Sequence, residues 1–216
     1  MPVSPFCVKL SKTMRMLQKG GQTCMGSALS VAELSILDWI ALHCHSAAGD
    51  VLMPLLSTSV NKGYLWIAVG LAILLFGGKR RWVGLQIWLA LILSVVICSV
   101  FVKNAVGRIR PCDLKPVLDL LITRPHDPSF PSGHTSASFA AAVVLWRNRC
   151  RGWQAAAVLA CLIAFSRLYL YVHFPTDVLG GLAIGSCCGL LSVFLWNRYL
   201  EAGVRKLLQR QDRSRP

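Results

Sequence analysis

No Cys-x-x-Cys pair, no internal repeat and no low-complexity stretch occurs in this chain. The first absence argues against a structural zinc site, and the other two against a repeat array or a second domain. Nine cysteines are an odd number, and Cys98, Cys161, Cys187 and Cys188 lie inside apolar runs. A thiol there behaves as a small hydrophobe, so no disulfide framework is expected. Cys112, beside the Arg110-Pro111 pair, reads as a free thiol with no assigned role. Residues 1–27 lack a long uncharged core and a clear small-residue cleavage site, and carry Lys9, Lys12, Arg15 and Lys19. That argues against a removed signal peptide and for a basic, cytoplasmic lead-in.

Charged residues make up only 15% of the chain, whereas 55% are hydrophobic, and the mean hydropathy is +0.55. These values shift the class from a soluble globule to a polytopic membrane protein. A net charge of +14 would suit nucleic acid if it lay along one face. Instead it falls in bursts at the ends of apolar runs: Lys79-Arg80-Arg81, then Arg147, Arg149 and Arg151, then Arg198, Arg205, Lys206 and Arg210. This pattern fits cytoplasmic loops under the positive-inside rule and argues against nucleic acid as a partner.

The expected fold is all-α, a membrane helical bundle of about six transmembrane helices. Apolar segments cover residues 51–76, broken at Asn61-Lys62-Gly63, then 82–102, 136–146 extended back to Gly133, 153–168 and 178–196. Residues 28–44 contain Glu33 and Asp38 and form either a first span with its acids turned inward or an interfacial amphipathic helix. The span closes the topology. His43 and His45 at its end read as boundary residues. The division expected is a lead-in over 1–27, one transmembrane unit over 28–200 and a basic cytoplasmic tail over 201–216. With the basic bursts cytoplasmic, Lys103, Arg110, His134, Arg167 and His173 all fall on the opposite side of the membrane.

Ionisable groups at membrane depth are tolerated where they pair, line water or do chemistry. Lys103 and Arg110 are seven residues apart, two turns, and would share a face on a continuing helix; Arg108 would point elsewhere and Pro111 would end the helix. A guanidinium fork and an ammonium together suit phosphate oxygens, although basic residues at a span end also snorkel to headgroups. In Pro131-Ser132-Gly133-His134, Ser132 can cap a helix, Gly133 allows close backbone approach, and first-turn N–H groups can hold an anion. His134 would lie over the bound group; an ordinary capped helix fits the tetrapeptide equally well. In the third cluster, Ser166-Arg167 is followed by His173 and Asp177. That spacing places a carboxylate beside an imidazole, with Pro175 arguing for a bend between them. The carboxylate can hold one ring nitrogen as N–H and leave the other free to attack. Together the clusters suggest phosphoryl transfer without a metal.

The series Lys103-x6-Arg110-Pro111, Pro131-Ser132-Gly133-His134 and Ser166-Arg167-x5-His173-x3-Asp177 resembles the three-part signature of the type 2 phosphatidic acid phosphatase (PAP2) superfamily. That group includes bacterial membrane lipid phosphatases, undecaprenyl pyrophosphatases, glucose-6-phosphatase and vanadium haloperoxidases. The match holds at every signature position over about a third of the chain. The resemblance implies that His173 attacks phosphorus to give a phosphohistidine, that Asp177 orients it, and that His134 protonates the leaving oxygen and later activates water. It implies that Lys103, Arg110, Ser132, Gly133 and Arg167 bind the phosphoryl oxygens, with no metal and no cofactor. Haloperoxidases are soluble, which disfavours that branch. A non-catalytic anion or lipid-phosphate binding or transport protein would need neither His134 nor His173. The short chain resembles small bacterial members whose substrate is a lipid phosphate: undecaprenyl diphosphate, phosphatidylglycerophosphate or phosphatidic acid. Neither the tail of that lipid nor the oligomeric state is written in the motifs.

Overall fold

A computed structural model of the protein describes residues 28–115, 119–201 and 203, and no strand occurs among them. The expected lead-in over 1–27 and nearly all of the tail lie outside the described residues. The helices are α1 Ala28–His43, α2 Ala47–Ser59, α3 Tyr64–Phe76, α4 Trp82–Val95, α5 Pro111–Leu114, α6 Gly133–Arg147, α7 Trp153–Tyr169 and α8 Pro175–Leu195. α4 runs on through a π segment, Val96–Val102, into the single turn Lys103–Val106, and α8 runs on through the π segment Trp196–Leu200.

α6 is the hub. It packs against α8, α7 and α4, and buries Ser136, Ala140, Ala141 and Val144 among other mostly small residues. A helix with small residues on most faces suits an interior position, since its backbone can be approached closely. α8 exploits this with glycines one turn apart. A Cβ on Gly181 would come within 2.5 Å of the Ser132 carbonyl, one on Gly185 within 2.2 Å of the Ser136 carbonyl, and one on Gly189 within 2.7 Å of the Ala140 carbonyl. Any side chain at these positions would force α8 away from α6 and from the Ser132 backbone just before it. Polar cross-links add to the packing: Ser94 Oγ to Ser136 Oγ at 2.7 Å, and Trp66 Nε1 donating to Ser138 Oγ at 3.0 Å.

The outer faces are apolar. Leu52, Leu55, Leu75, Phe76, Ile92, Phe101, Leu179 and Phe194 are all exposed, far more greasy surface than a water-soluble monomer presents. Two helical stretches, Gly78–Leu114 and Pro175–Leu200, are long and apolar enough to cross a bilayer; α2 and α3, bent by 59° at their junction, make a third if they form one span. The break was expected at Asn61-Lys62-Gly63, and Gly63 takes φ +76 there. α7 is apolar but shorter, at 17 residues. The basic bursts around Arg80 and Arg149 meet at one end of the bundle, where Arg80 Nη1 donates to the Arg149 carbonyl at 2.7 Å.

Candidate active site

At the opposite end of the bundle, a cavity of about 360 Å³ is lined by Lys103, Arg110, Gly133, His134, Arg167 and His173, together with Ser57, Asn61 and Asp127. Six of the eight residues singled out in the sequence thus meet in one space. Ser132 and Asp177, fully buried, stand behind it.

Lys103 and Arg110 arrive by a different route from the one expected. The helix does not continue between them: it ends at Val106, and Gly107 at φ +59 closes it by donating its N–H to the Lys103 carbonyl at 2.9 Å. This is the glycine C-cap position. Arg110 is extended, and Pro111 starts the short α5 rather than stopping α4. The two cations converge through this turn and not through a shared helical face. Proline tolerates a first helical position because that N–H has no partner anyway.

Arg110 is fixed on three sides. Nε donates to the Asp127 carbonyl at 2.7 Å, Nη2 to Asp127 Oδ1 at 2.9 Å, and Nη1 to the Val172 carbonyl at 2.8 Å. Nη1 also lies 3.2 Å from His173 Nε2. A guanidinium only donates, so that contact requires Nε2 to carry the lone pair and Nδ1 the proton. His173 Nδ1 is 3.5 Å from Asp177 Oδ2 without a completed hydrogen bond. No single helix runs through this pair, in keeping with the bend for which Pro175 argued. His173 precedes the cap residue Phe174, Pro175 takes the first position of α8, and Asp177 Oδ2 accepts the Phe174 N–H at 2.8 Å. A carboxylate one turn into a helix satisfies an orphan donor and the positive helix end together.

Burial pushes the His173 ring down to a pKa of about 3; the adjacent Asp177 carboxylate opposes this, and the charges of Arg110 and Arg167 add to it. The ring is therefore neutral at physiological pH, with Nε2 available. Arg167 is 3% exposed and hydrogen-bonds Ser57 through Nη1, while its Nε is buried with no hydrogen-bond partner. An unpaired guanidinium N–H beside a cavity is costly unless a ligand satisfies it, and a phosphoryl oxygen fits. Ser132 Oγ accepts from the Thr135 N–H at 3.5 Å and from Thr135 Oγ1 at 2.9 Å, as a cap. A Cβ on Gly133 would meet nothing within 4 Å, so its backbone borders open space. His134 Nε2 is 3.0 Å from Asn61 Oδ1, at the break between α2 and α3.

Several groups here carry no motif signal. Ser57 belongs to a region that reads as apolar, and Asn61 reads only as part of the break in it. Asp127, from the loop before α6, pairs with both Lys103 and Arg110. Burial works to raise its pKa, but the Lys103 hydrogen bond and the charges of Arg110 and Lys103 outweigh that and hold it at about 2. Its folded pKa lies below the usual value, so the pair stabilises the fold above the carboxylate range and is lost only as pH falls towards 2. Across the neutral range Asp127 therefore competes with a phosphate for the same two cations. Asp127→Asn is expected to tighten inhibition by orthovanadate by up to about fivefold, the size of contribution a half-exposed ion pair makes. A weakened inhibition constant would instead make Asp127 a holder of Arg110.

A second cavity of about 620 Å³, lined by Val60, Ile67, Trp88, Leu91, Ile92 and Val95 among others, also reaches Gly133 and His134. The polar and apolar spaces thus share a border at the start of α6. Among the described residues, no group of three or more His, Cys, Asp or Glu side chains could hold a metal ion.

Comparison with known proteins gives a consistent family. Residues 83–200 match the PAP2 superfamily. The chain is 32% identical over 143 residues to an undecaprenyl-diphosphatase of Sulfolobus acidocaldarius, covering 66% of this chain and 68% of that protein. It is 33% identical over 161 residues to a lipid A 4'-phosphatase of Porphyromonas gingivalis, covering 68% and 66%. The matches thus span about two thirds of each relative. The fold is similar to the crystal structure of a transmembrane PAP2-type phosphatidylglycerolphosphate phosphatase from Bacillus subtilis, with a TM-score of 0.66 and 23% identity over 88% of this chain and 97% of the other.

Proposed function

The chain belongs to the PAP2 superfamily, and on that premise we propose how this lipid phosphatase of the membrane handles its substrate. The phosphate enters the cavity at Lys103, Arg110 and Arg167, with the Gly133 backbone beside it. His173 Nε2 attacks phosphorus in line as the bond to the lipid oxygen breaks, and the electron pair leaves on that oxygen. His134 supplies the proton. Water, deprotonated by His134, then attacks the phosphohistidine and releases inorganic phosphate, restoring both rings. Asp177 holds the Nδ1 proton of His173 throughout. The cations stabilise the equatorial oxygens as charge shifts.

The observation that carries this reading is the border between the two cavities at His134. A phosphate in the cationic space leaves its ester oxygen near His134 and its tail in the apolar space, which suits a lipid far better than a sugar phosphate. Undecaprenyl diphosphate, phosphatidylglycerophosphate and phosphatidic acid all have this form. Relatives that act on such lipids support it. Six spans fit best, with 28–43, the bent 47–76, 82–106, 133–147, 153–169 and 175–200 each crossing once, in one transmembrane unit over 28–200. The basic end then faces the cytoplasm and the site lies on the extracytoplasmic side of the cell membrane.

The test is phosphate release by the purified protein in detergent from each of the three lipids. Release is expected to persist in EDTA, because three side-chain cations already supply the positive field, and to be inhibited by orthovanadate, which mimics the five-coordinate transition state. Activity lost on chelation and restored by Mg²⁺ would overturn the metal-free mechanism. Vanadate binding with no turnover of any of the three would make the protein a lipid-phosphate binder or transporter.

A further inference from the structure

We propose that Glu33 and Arg108 are positioning residues for the catalytic pair, so that α1 forms part of the catalytic assembly. Arg108 lies between Lys103 and Arg110, where the helical reading aims it away from them. Its Nη1 donates to Asp177 Oδ1 at 2.7 Å and to Thr176 Oγ1 at 2.6 Å, and its Nη2 pairs with Glu33. The guanidinium also lies over the Phe174 ring, 4.1 Å from its centroid. Glu33, 3% exposed on α1, accepts the Thr176 N–H at 3.0 Å and its hydroxyl at 2.5 Å.

The two oxygens of Asp177 are thereby divided. Arg108 takes Oδ1, while Oδ2 accepts from Ser129 Oγ at 2.5 Å and from the Phe174 N–H, and faces His173 Nδ1. A buried carboxylate stripped of its cation would rotate or take up a proton, and either change releases the Nδ1 proton of His173 from its acceptor. Glu33 in turn holds Arg108, which would otherwise be free to swing towards solvent on its partly exposed side. Partners one step removed from the reacting atoms typically change rate by about 10- to 100-fold. An ion pair that merely pinned α1 to α8 would use the same contacts, so the experiment must separate rate from stability.

This inference rests on reading His173 as the nucleophile. Full-length Arg108→Gln, Arg108→Lys, Glu33→Gln and the Arg108→Gln/Glu33→Gln double variant are compared with the parent for kcat, KM, vanadate inhibition and Tm. Arg108→Gln is expected to lower kcat about 10- to 100-fold, leaving KM and vanadate inhibition within about threefold. Arg108→Lys should recover part of that loss, since an ammonium can reach one carboxylate but not bridge two. Glu33→Gln should lower kcat about 3- to 10-fold alone and add nothing in the Arg108→Gln background, as expected for residues acting in series. If Arg108→Gln does not fold, Arg108→Lys and Glu33→Gln carry the comparison, each retaining half of the network. A lower Tm with parental kcat per folded molecule, or a loss confined to KM and vanadate binding, would overturn the proposal, as would effects that multiply in the double variant. Failure of the parent itself to release phosphate would instead tell against the lipid phosphatase reading.

Discussion

His173→Ala is expected to stop phosphate release, lowering turnover by about 10⁴-fold or more, as loss of a catalytic nucleophile does elsewhere. No other side chain in the cavity can take its place: His134 is engaged at Asn61, and Lys103 is paired with Asp127. Binding should survive. Lys103, Arg110 and Arg167 stay in place, so the variant should still bind orthovanadate by calorimetry, without the bond from Nε2. Hydrolysis of lipid phosphate at near the parental rate would sink the mechanism.

The same substitution has a stability signature. Burial and the two arginines hold the ring at about 3, below its ordinary 6.5. The unfolded ring therefore takes up a proton first on acidification, and the parent loses stability as pH falls from about 6.5 towards 3. His173→Ala lacks that group, so its Tm should decline less over that interval than the parent's.

Much of the architecture was legible because its signals are local. Apolar runs, basic bursts and the break at Asn61-Lys62-Gly63 each sit within one segment, and the helices follow them closely. α6 begins at Gly133, where Ser132 was expected to cap it. The convergence of Lys103, Arg110, His134, Arg167 and His173 on one end could be read from charge alternation, since each lies at the same end of its segment. Geometry within the clusters was less accessible. Two-turn spacing placed Lys103 and Arg110 on one helical face, but Gly107 ends that helix, and a turn brings them together instead. Pro175 argued for a bend between His173 and Asp177, but only the structure shows that it opens α8 and leaves His173 in the preceding loop.

The contacts that escaped notice are all long-range. Arg108 was expected to point away, and relative to Lys103 and Arg110 it does; what it points towards is Glu33, from the first helix. Asp127 lies in a loop with no periodicity to read. Gly181, Gly185 and Gly189 are spaced one turn apart, a signal present in the sequence whose meaning depends on which helix they face. Only the close approach to α6 supplies it. Acids embedded in an apolar stretch were the available clue to the rest, since Glu33 and Asp38 both found basic partners from the segment just after α4.

His134→Ala should separate the two chemical steps. His134 occupies the second position of α6 and borders both cavities, so the scissile ester oxygen of a lipid would lie next to it. A lipid alkoxide is a poor leaving group and needs that proton as the bond breaks. Loss of a general acid costs about 10² to 10⁴-fold, and hydrolysis of a lipid phosphate should fall by that amount with no rapid first turnover. A p-nitrophenolate leaves without a proton, so formation of the phosphohistidine from p-nitrophenyl phosphate should slow by no more than about tenfold. The second step still lacks its base, because the same ring must activate the attacking water. The intermediate then accumulates, and the variant should release one equivalent of p-nitrophenolate per site in a burst before a slow steady state. Rapid-quench measurement of the burst amplitude decides the matter. Equal losses on both substrates with no burst would place the acid and the base on another group.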